Sequence, residues 1–203
     1  LSRTNGRLQE FVPQPESGQE RRKIADHVVI KADVRGSSAI TNQLLERNLN
    51  PAAHFSRNFF DPINRLIEEF GATKTFLEGD AVILTLFSYE DLSYQWLSVA
   101  HACGLARKII EVIDWQNAQN RRYGLPDLEV GIGIAFDDGP PTFLYDGERP
   151  IMISPAINRA DRLSSCSKRL RKSSLSTLTQ GHGVEVVAPA SDVQEFGDNG
   201  EGL

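Results

Sequence analysis

Cysteine is scarce in this chain of 203 residues, and basic residues are not in excess. The two cysteines, Cys103 and Cys166, are too few for a disulfide framework, so we expect a reducing compartment and a cytoplasmic location. The formal net charge of −5 gives no indication of a nucleic-acid polymer as partner. No apolar run approaches the roughly 20 residues of a membrane helix, and no signal peptide is visible. These absences disfavour disulfide-rich, nucleic-acid-binding and membrane-spanning classes for this sequence.

What remains is the composition of an ordinary globular domain, with 40% hydrophobic and 24% charged residues. Residues 1–24 are polar and contain Pro and Gly, which predicts an arm or linker. Residues 25–190 carry the regular patterns and are predicted to form one domain, and the acidic, glycine-rich residues 191–203 are predicted to be a flexible tail. Because the chain begins at Leu1 rather than Met, we expect a longer protein with an upstream sensor or membrane domain.

Hydrophobic periodicity and turn residues predict elements in the order β α α β β α β β α β. A split β-α-β pattern with antiparallel hairpins predicts an α+β fold with a ferredoxin-like core. The predicted strands are 27–34, 73–79, 80–88, 128–136, 142–148 and 184–189, and the predicted helices are 37–48, 51–70, 91–122 and a last one that Ser154 and Pro155 begin.

Two of these segments also indicate which face is buried. In the helix at 91–122, apolar residues step by three and four, which predicts a buried face formed by Trp96, Val99, Cys103, Ala106, Ile110 and Ile113. In the strand at 128–136, Gly131 and Gly133 share the face opposite the branched residues. Glycines on one strand face predict that another backbone or a ligand approaches closely there.

Two carboxylates stand at the ends of predicted strands. Asp33 ends the first strand, and Asp80 lies in the turn of the hairpin at 73–88. In a split β-α-β sheet these strand ends are neighbours, and paired carboxylates suit hard divalent cations that also bind substrate phosphate. Taken singly, Asp33 is better explained as a helix cap and Asp80 as a turn residue.

Two further groups of polar residues suit a nucleotide. Asn158 and Arg162 lie four apart on one helix, so they share a face on which an amide orients a ribose and a guanidinium stabilises a phosphate. The alternative for Arg162 is an ion pair with a nearby acid such as Asp161. Gly36, Ser37 and Ser38 form a strand-to-helix turn whose free N–H groups and helix dipole favour anions.

Four segments resemble motifs of one family in its own order and at nearly its spacing. VVIKADVRGSSAI is similar to F-x-D-I-x-G-F-T, and FLEGDAVILTLF is similar to K-F-I-G-D-x-x-M-A-x-F. LEVGIGIAF is similar to R-V-G-I-G-I-H, and PIMISPAINRADRLSS is similar to Y-x-V-I-G-D-x-V-N-x-A-A-R-L. These are motifs of the class III nucleotidyl cyclase catalytic domain, found in adenylate and guanylate cyclases. The resemblance covers about residues 26–190.

The resemblance implies an activity and a site. Asp33 and Asp80 match the two metal aspartates, and Val34 matches the residue whose backbone carbonyl also reaches a metal. Asn158 and Arg162 match the residues that act in the transition state. The implied cofactors are two Mg²⁺ or Mn²⁺ ions, and the implied reaction converts a nucleoside triphosphate, by default ATP, to a 3′,5′-cyclic nucleotide and pyrophosphate. Family members are dimers whose site lies at the interface, so the aspartates of one chain meet the Asn and Arg of the other.

Three departures from the family pattern leave alternatives open. The base-reading Lys and Asp or Thr of the family fall on Phe76 and Ile151, and the late phosphate-binding Lys has no counterpart. Lys74, on the same predicted strand face as Phe76, and the basic cluster Lys168–Lys172 are candidate substitutes. The alternatives are a cyclase for another base such as a pyrimidine, a catalytically silent cyclase-like regulatory domain, and a diguanylate-cyclase relative. The last is disfavoured because the G-G-D/E-E-F hairpin is absent from the sequence.

Overall fold

A computed structural model of the chain describes residues 23–90, 97–146 and 149–165, which belong to the compact unit Leu1–Ser165. Most of the predicted arm, Trp96, the basic cluster at 168–172, the strand at 184–189 and the tail lie outside the described residues. In the part that is described, no helix combines the length and apolarity that crossing a membrane demands.

Four antiparallel strands form the central sheet, in the order β2-β3-β1-β4. They are β1 (Ile24–Val34), β2 (Thr73–Glu78), β3 (Ala81–Tyr89) and β4 (Val130–Asp137). β1 pairs with β3 on one side and with β4 on the other. Since β3 lies between β1 and β2, the crossover from β1 to β2 skips one strand, and the predicted split β-α-β arrangement is confirmed.

Helices cover both faces of the sheet and create two apolar cores. The helices are α1 (Ser37–Glu46), α2 (Pro51–Phe55), a π-helical segment (Ser56–Phe60), α3 (Asp61–Glu69), α4 (Leu97–Arg122) and α5 (Pro155–Ser165). The first core packs the β1 residues Val28 and Ile30 against α3 and α4. The second packs Val29 of β1 against Ala156 and Ala160 of α5. Because β1 is covered on both faces, its middle is the consecutive apolar run Val28–Ile30 instead of an alternating pattern.

The buried face of α4 is rotated from the predicted one. Ala102, Leu105 and Ile109 are fully buried, whereas Cys103 is exposed and Val99 is 37% exposed. The prediction of a buried Cys103 was therefore wrong. The sequence pattern did not reveal this face because buried polar residues continue it. The side-chain amide of Asn117 donates to the Leu128 carbonyl oxygen and accepts from the Leu128 N–H, each at 2.8 Å.

The segment after β4 forms its own two-stranded sheet. β5 (Thr142–Asp146) pairs with β6 (Arg149–Ile153), a strand absent from the sequence prediction. Pro150 inside β6 weakened its strand pattern, since proline is confined to sheet edges and bulges. The side chain of Met152 nevertheless fills the second core, and the hairpin leads directly into α5.

α5 lies against the glycines of β4, as the glycine pattern predicts. A Cβ on Gly133 would overlap the carbonyl oxygen of Ala160 and the amide nitrogen of Ser164. A Cβ on Gly131 would overlap the carbonyl oxygen of Ser164 and the Arg35 guanidinium. The approaching backbone is therefore α5, whose N-terminus is capped as predicted by Ser154, the Oγ of which accepts the Ala156 N–H at 3.0 Å.

Candidate active site

The two candidate metal aspartates lie at neighbouring ends of β1 and β3. Asp33 of β1 pairs with Ala81, the residue that follows Asp80. The backbone N–H of Val34 donates to the carbonyl oxygen of Asp80 at 3.2 Å, which holds the two segments together. Val34 itself is 2% exposed, with its side chain in the first core, so only its backbone is open to a ligand.

The electrostatics of the pair favour a bound cation. Burial raises the pKa of the Asp33 carboxyl, and the negative charge of Asp80 raises it further, while Lys31 and Arg35 act in the opposite direction. Within residues 23–90, 97–146 and 149–165, neither carboxylate has a hydrogen-bond or ion-pair partner. Two partly desolvated oxygen donors that repel each other fit a hard divalent cation. No described group of three or more His, Cys, Asp or Glu side chains could hold a metal, so a cation bound to this pair would need further oxygen ligands of another kind.

The N-terminus of α1 opens on the same space as Asp80. Gly36 caps this ten-residue helix with φ +62°, a left-handed conformation that glycine adopts without strain. The N–H groups of Ser37 and Ser38 begin the helix and have no intrahelical acceptor. A cavity of about 490 Å³ is lined by Ser37, Ser38, Thr41, Asn42, Ala52, Phe55, Phe60, Gly79 and Asp80. The structure thus brings the predicted phosphate turn and one of the two candidate metal aspartates, Asp80, to one cavity.

Asn158 and Arg162 stand on the exposed surface of α5. Neither has a hydrogen-bond or ion-pair partner among the described residues, whereas their neighbour Asp161 on the same helix is one of the charges that act on Asp33. The proposed pairing of Arg162 with Asp161 is not formed, because the Asp161 carboxylate accepts a hydrogen bond from Lys31 at 2.5 Å. One chain therefore leaves the amide and the guanidinium open to solvent.

The two candidate base-pocket residues have different surroundings. The ring of Phe76 packs against the second core. Ile151 pairs with Leu144 on the β5–β6 hairpin and is partly buried, and its neighbour Met152 is the β6 residue that enters that core. Since consecutive strand residues face opposite sides, Ile151 lies on the other face of the hairpin.

A β-bulge in β2 removes Lys74 from the candidate base pocket. Lys74 pairs with Leu84 and Phe76 with Ile83, so one extra residue, Thr75, is inserted between them. The bulge places Lys74 on the face of the first core and Phe76 on the face of the second. The prediction that they share a face was wrong, and the Lys74 amine donates instead to Asn64 at 2.9 Å.

Sequence reasoning missed Lys31, a buried cation beside Asp33. Its amine donates to Asp161 at 2.5 Å and to Glu78 at 2.9 Å. Burial lowers the pKa of Lys31, but the hydrogen bonds and charges of the two carboxylates outweigh it and leave that pKa above its ordinary value. The one available signal was a lysine directly after the apolar run Val28–Ile30, on the same strand face as Val29 and Asp33.

The arrangement of strands and helices is that of adenylyl and guanylyl cyclase catalytic domains. A crystal structure of the guanylyl cyclase Cya2 is 19% identical, with 72% of this chain and 72% of that chain covered and a TM-score of 0.57. A bacterial light-regulated adenylyl cyclase is 19% identical, with 73% of each chain covered and a TM-score of 0.56. The adenylyl cyclase CyaB from P. aeruginosa is 17% identical, with 72% of this chain and 74% of that chain covered and a TM-score of 0.57. No protein-family model and no curated protein matches the sequence.

Proposed function

We propose that this chain is a nucleotidyl cyclase that converts a nucleoside triphosphate to a 3′,5′-cyclic nucleotide and pyrophosphate. The observation that carries the proposal is the Asp33–Asp80 carboxylate pair, which has no protein partner in the described residues and adjoins the N-terminus of α1. The shared fold supports it, because solved structures of that fold include a rhodopsin-guanylyl cyclase in complex with ATPαS and a guanylate cyclase domain in complex with GTP.

The residues around the aspartates fit the binding of two Mg²⁺ or Mn²⁺ ions. The carboxylates of Asp33 and Asp80 and the backbone carbonyl of Val34 would hold them, and triphosphate oxygens would complete the coordination. Bound there, the ions would favour loss of the ribose 3′-hydroxyl proton and offset charge on the α-phosphate. The Asp33 carboxyl must be ionised to serve as a ligand, so its raised pKa predicts weaker binding in acid.

The groups that would bind the triphosphate, stabilise the developing charge and orient the ribose are either neutral or carry a fixed positive charge. The free N–H groups of Ser37 and Ser38 bind the triphosphate, where the α1 dipole favours negative charge. The Arg162 guanidinium stabilises the charge that develops as pyrophosphate leaves, and the Asn158 amide orients the ribose. Because one chain leaves the Asn158 amide and the Arg162 guanidinium exposed and without a described partner, the arrangement we propose is a homodimer in which each chain completes the other's site.

The base preference follows from what surrounds the base. Phe76 and Ile151 offer no hydrogen-bond partner at the two positions expected to read it, and the bulge excludes Lys74. A site without such partners discriminates weakly between bases, so we keep ATP as the default and a pyrimidine triphosphate as the alternative.

One observation favours a second candidate, a catalytically silent domain that binds nucleotide or a protein partner. Phe76 packs against the second core, so this position contributes to stability whether or not a base binds. The two candidates are distinguished by incubating the purified protein, at high concentration and in its longest available form, with Mn²⁺ and each of ATP, GTP, CTP and UTP. Cyclic nucleotide and pyrophosphate from any of them supports the enzyme, and product from none of them supports the silent domain.

A shared interfacial site predicts that two inactive variants complement each other. Asp33→Ala protein and Arg162→Ala protein each lack one half of every site, whereas a mixed dimer retains one complete site. Mixed in equal amounts, they should recover about a quarter of wild-type turnover, because half of randomly assorted dimers are mixed and each has one intact site of two. Turnover is measured after mixing, with the dimer verified by sedimentation. Persistent inactivity of verified mixed dimers would contradict the shared site.

A further inference from the structure

Lys31 places an ammonium group between the sheet and α5, where little water reaches it. Its side chain is 9% exposed, whereas those of its partners Glu78 and Asp161 are 67% and 53% exposed. The amine lies 2.9 Å from a Glu78 oxygen and 2.5 Å from an Asp161 oxygen. A desolvated ammonium must keep at least one charged partner, because leaving it unpaired in this position is costly. The two carboxylates can turn to solvent, so the lysine is the fixed member of the group.

Each member of this group is a near neighbour of a residue assigned to the site. Lys31 lies two residues before Asp33, and Glu78 lies two residues before Asp80. Asp161 directly precedes Arg162 and follows Asn158 by three. A single ammonium therefore connects β1, the β2–β3 turn and α5, the three segments that present the candidate metal and transition-state residues.

The pair Lys31–Asp161 also departs from the cyclase motifs at both of its positions. The motif F-x-D has Phe where this chain has Lys31, and the motif N-x-A-A-R has Ala where it has Asp161. The side chains at these two positions contact each other, so an ion pair between Lys31 and Asp161 stands where the motifs have the apolar residues Phe and Ala. Each is physically reasonable only with the other, since a buried lysine facing alanine would lose its closest partner.

We propose that Lys31 is a positioning residue that sets the β2–β3 turn and α5 relative to the Asp33 carboxylate. This inference rests on the proposed function for its catalytic consequence, but the positioning itself is a property of the metal-free chain. Lys31 touches no substrate in this role. It acts through Glu78 on the placement of Asp80 and through Asp161 on the placement of Asn158 and Arg162.

The test compares Lys31→Met with Lys108→Met in the full chain without metal, using amide hydrogen exchange. Methionine keeps an unbranched side chain one atom shorter than that of lysine and removes the charge. Lys108 is a matched control, because its amine also pairs with a carboxylate, Glu111, at 3.2 Å, but on the exposed surface of α4. Lys31→Met should raise exchange roughly tenfold both in residues 78–82 and in 155–165, while β1 and α4 stay protected. Lys108→Met should leave both segments unchanged.

Activity gives a second readout that a purely structural role would not move. In Mn²⁺ and the preferred triphosphate, Lys31→Met should lower kcat roughly tenfold with KM within about twofold, and Lys31→Arg should recover part of it. Unchanged exchange in both segments, or equal acceleration across the whole unit, would overturn the positioning role. If the wild type turns over no triphosphate, the proposed function fails while the exchange comparison still decides this inference.

Two variants that each neutralise one carboxylate test the positioning role even if Lys31→Met does not fold. Asp161→Asn should accelerate exchange in 155–165 alone, and Glu78→Gln should accelerate it in 78–82 alone. The absence of both local effects would also overturn the proposal.

Discussion

Replacing Asp33 or Asp80 by alanine is expected to reduce metal-dependent turnover roughly 1,000-fold, because each removes one of two carboxylates proposed to hold the cations. The pair lies at the joined ends of β1 and β3 with no other partner in the described residues, so nothing nearby takes over its role. The measurement is cyclic-nucleotide formation together with Mn²⁺ binding to the isolated variants. Glu111→Ala, which removes an exposed carboxylate on α4, should retain full turnover and serves as the control. Full activity in either aspartate variant would show that the metal assignment is wrong.

Although loss of the Asp33 carboxylate should reduce turnover, removal of its charge should increase the stability of the metal-free protein. The folded-state pKa of Asp33 lies above its ordinary value, because of burial and then of the Asp80 charge. The folded protein therefore binds this proton more tightly than the unfolded chain does, and stability falls as pH rises from the ordinary pKa through the raised one. At neutral pH the ionised Asp33 is destabilising, so metal-free Asp33→Asn should melt at a higher temperature than the wild type. The difference should shrink in acid, and a lower melting temperature at neutral pH would contradict the electrostatic account.

Gly133→Ala is expected to cost about 3 kcal/mol of unfolding free energy, which lowers Tm by about 6–12 °C in a domain of this size. The added methyl group would overlap the Ala160 carbonyl oxygen and the Ser164 amide nitrogen, which are backbone atoms inside α5 and cannot rotate away. The helix must then move from β4 and carry Asn158 and Arg162 with it, so turnover should fall as well. Thermal unfolding followed by circular dichroism measures the first effect.

Gly139→Ala is the matched control for this prediction. Among the described residues, its added Cβ would meet only a carboxylate oxygen of Asp137, at 3.8 Å, an ordinary van der Waals distance. Its stability should therefore stay within about 0.5 kcal/mol of the wild type. Equal stability of the two glycine variants would show that α5 does not depend on the close approach at Gly133.

The features that the sequence predicts well are those carried by local periodicity. The split β-α-β order, the hairpin around Asp80 and the glycine face of β4 all follow from alternation and turn residues, and all are present. The buried face of α4 was mispredicted because it includes polar side chains such as Asn117. The burial of Asn117 depends on a hydrogen-bond partner, Leu128, that lies in a following loop. Burial of a polar residue is decided by its hydrogen-bond partner, which periodicity does not reveal.

The residues of the candidate site likewise include some that local sequence features predict and others that they do not. Asp33, Asp80 and the Gly36–Ser38 turn were predictable because strand ends and helix starts are local features. The bulge at Thr75 was not, because it depends on how β2 registers against β3, and it reverses the face on which Lys74 lies. Lys31 was also missed, because its partners Glu78 and Asp161 are 47 and 130 residues away along the chain.

The Lys31 contacts have a consequence for communication in a two-site assembly. If two copies share their sites as proposed, the β2–β3 turn of a chain belongs to one site and α5 of the same chain belongs to the other. The ammonium then joins halves of two different active centres, and displacement of the turn at the first centre is transmitted to the helix serving the second. Such a link is a route for cooperativity between the centres. A Hill coefficient that differs from one in the wild type and returns to one in Lys31→Met would identify it, and an unchanged coefficient would exclude it.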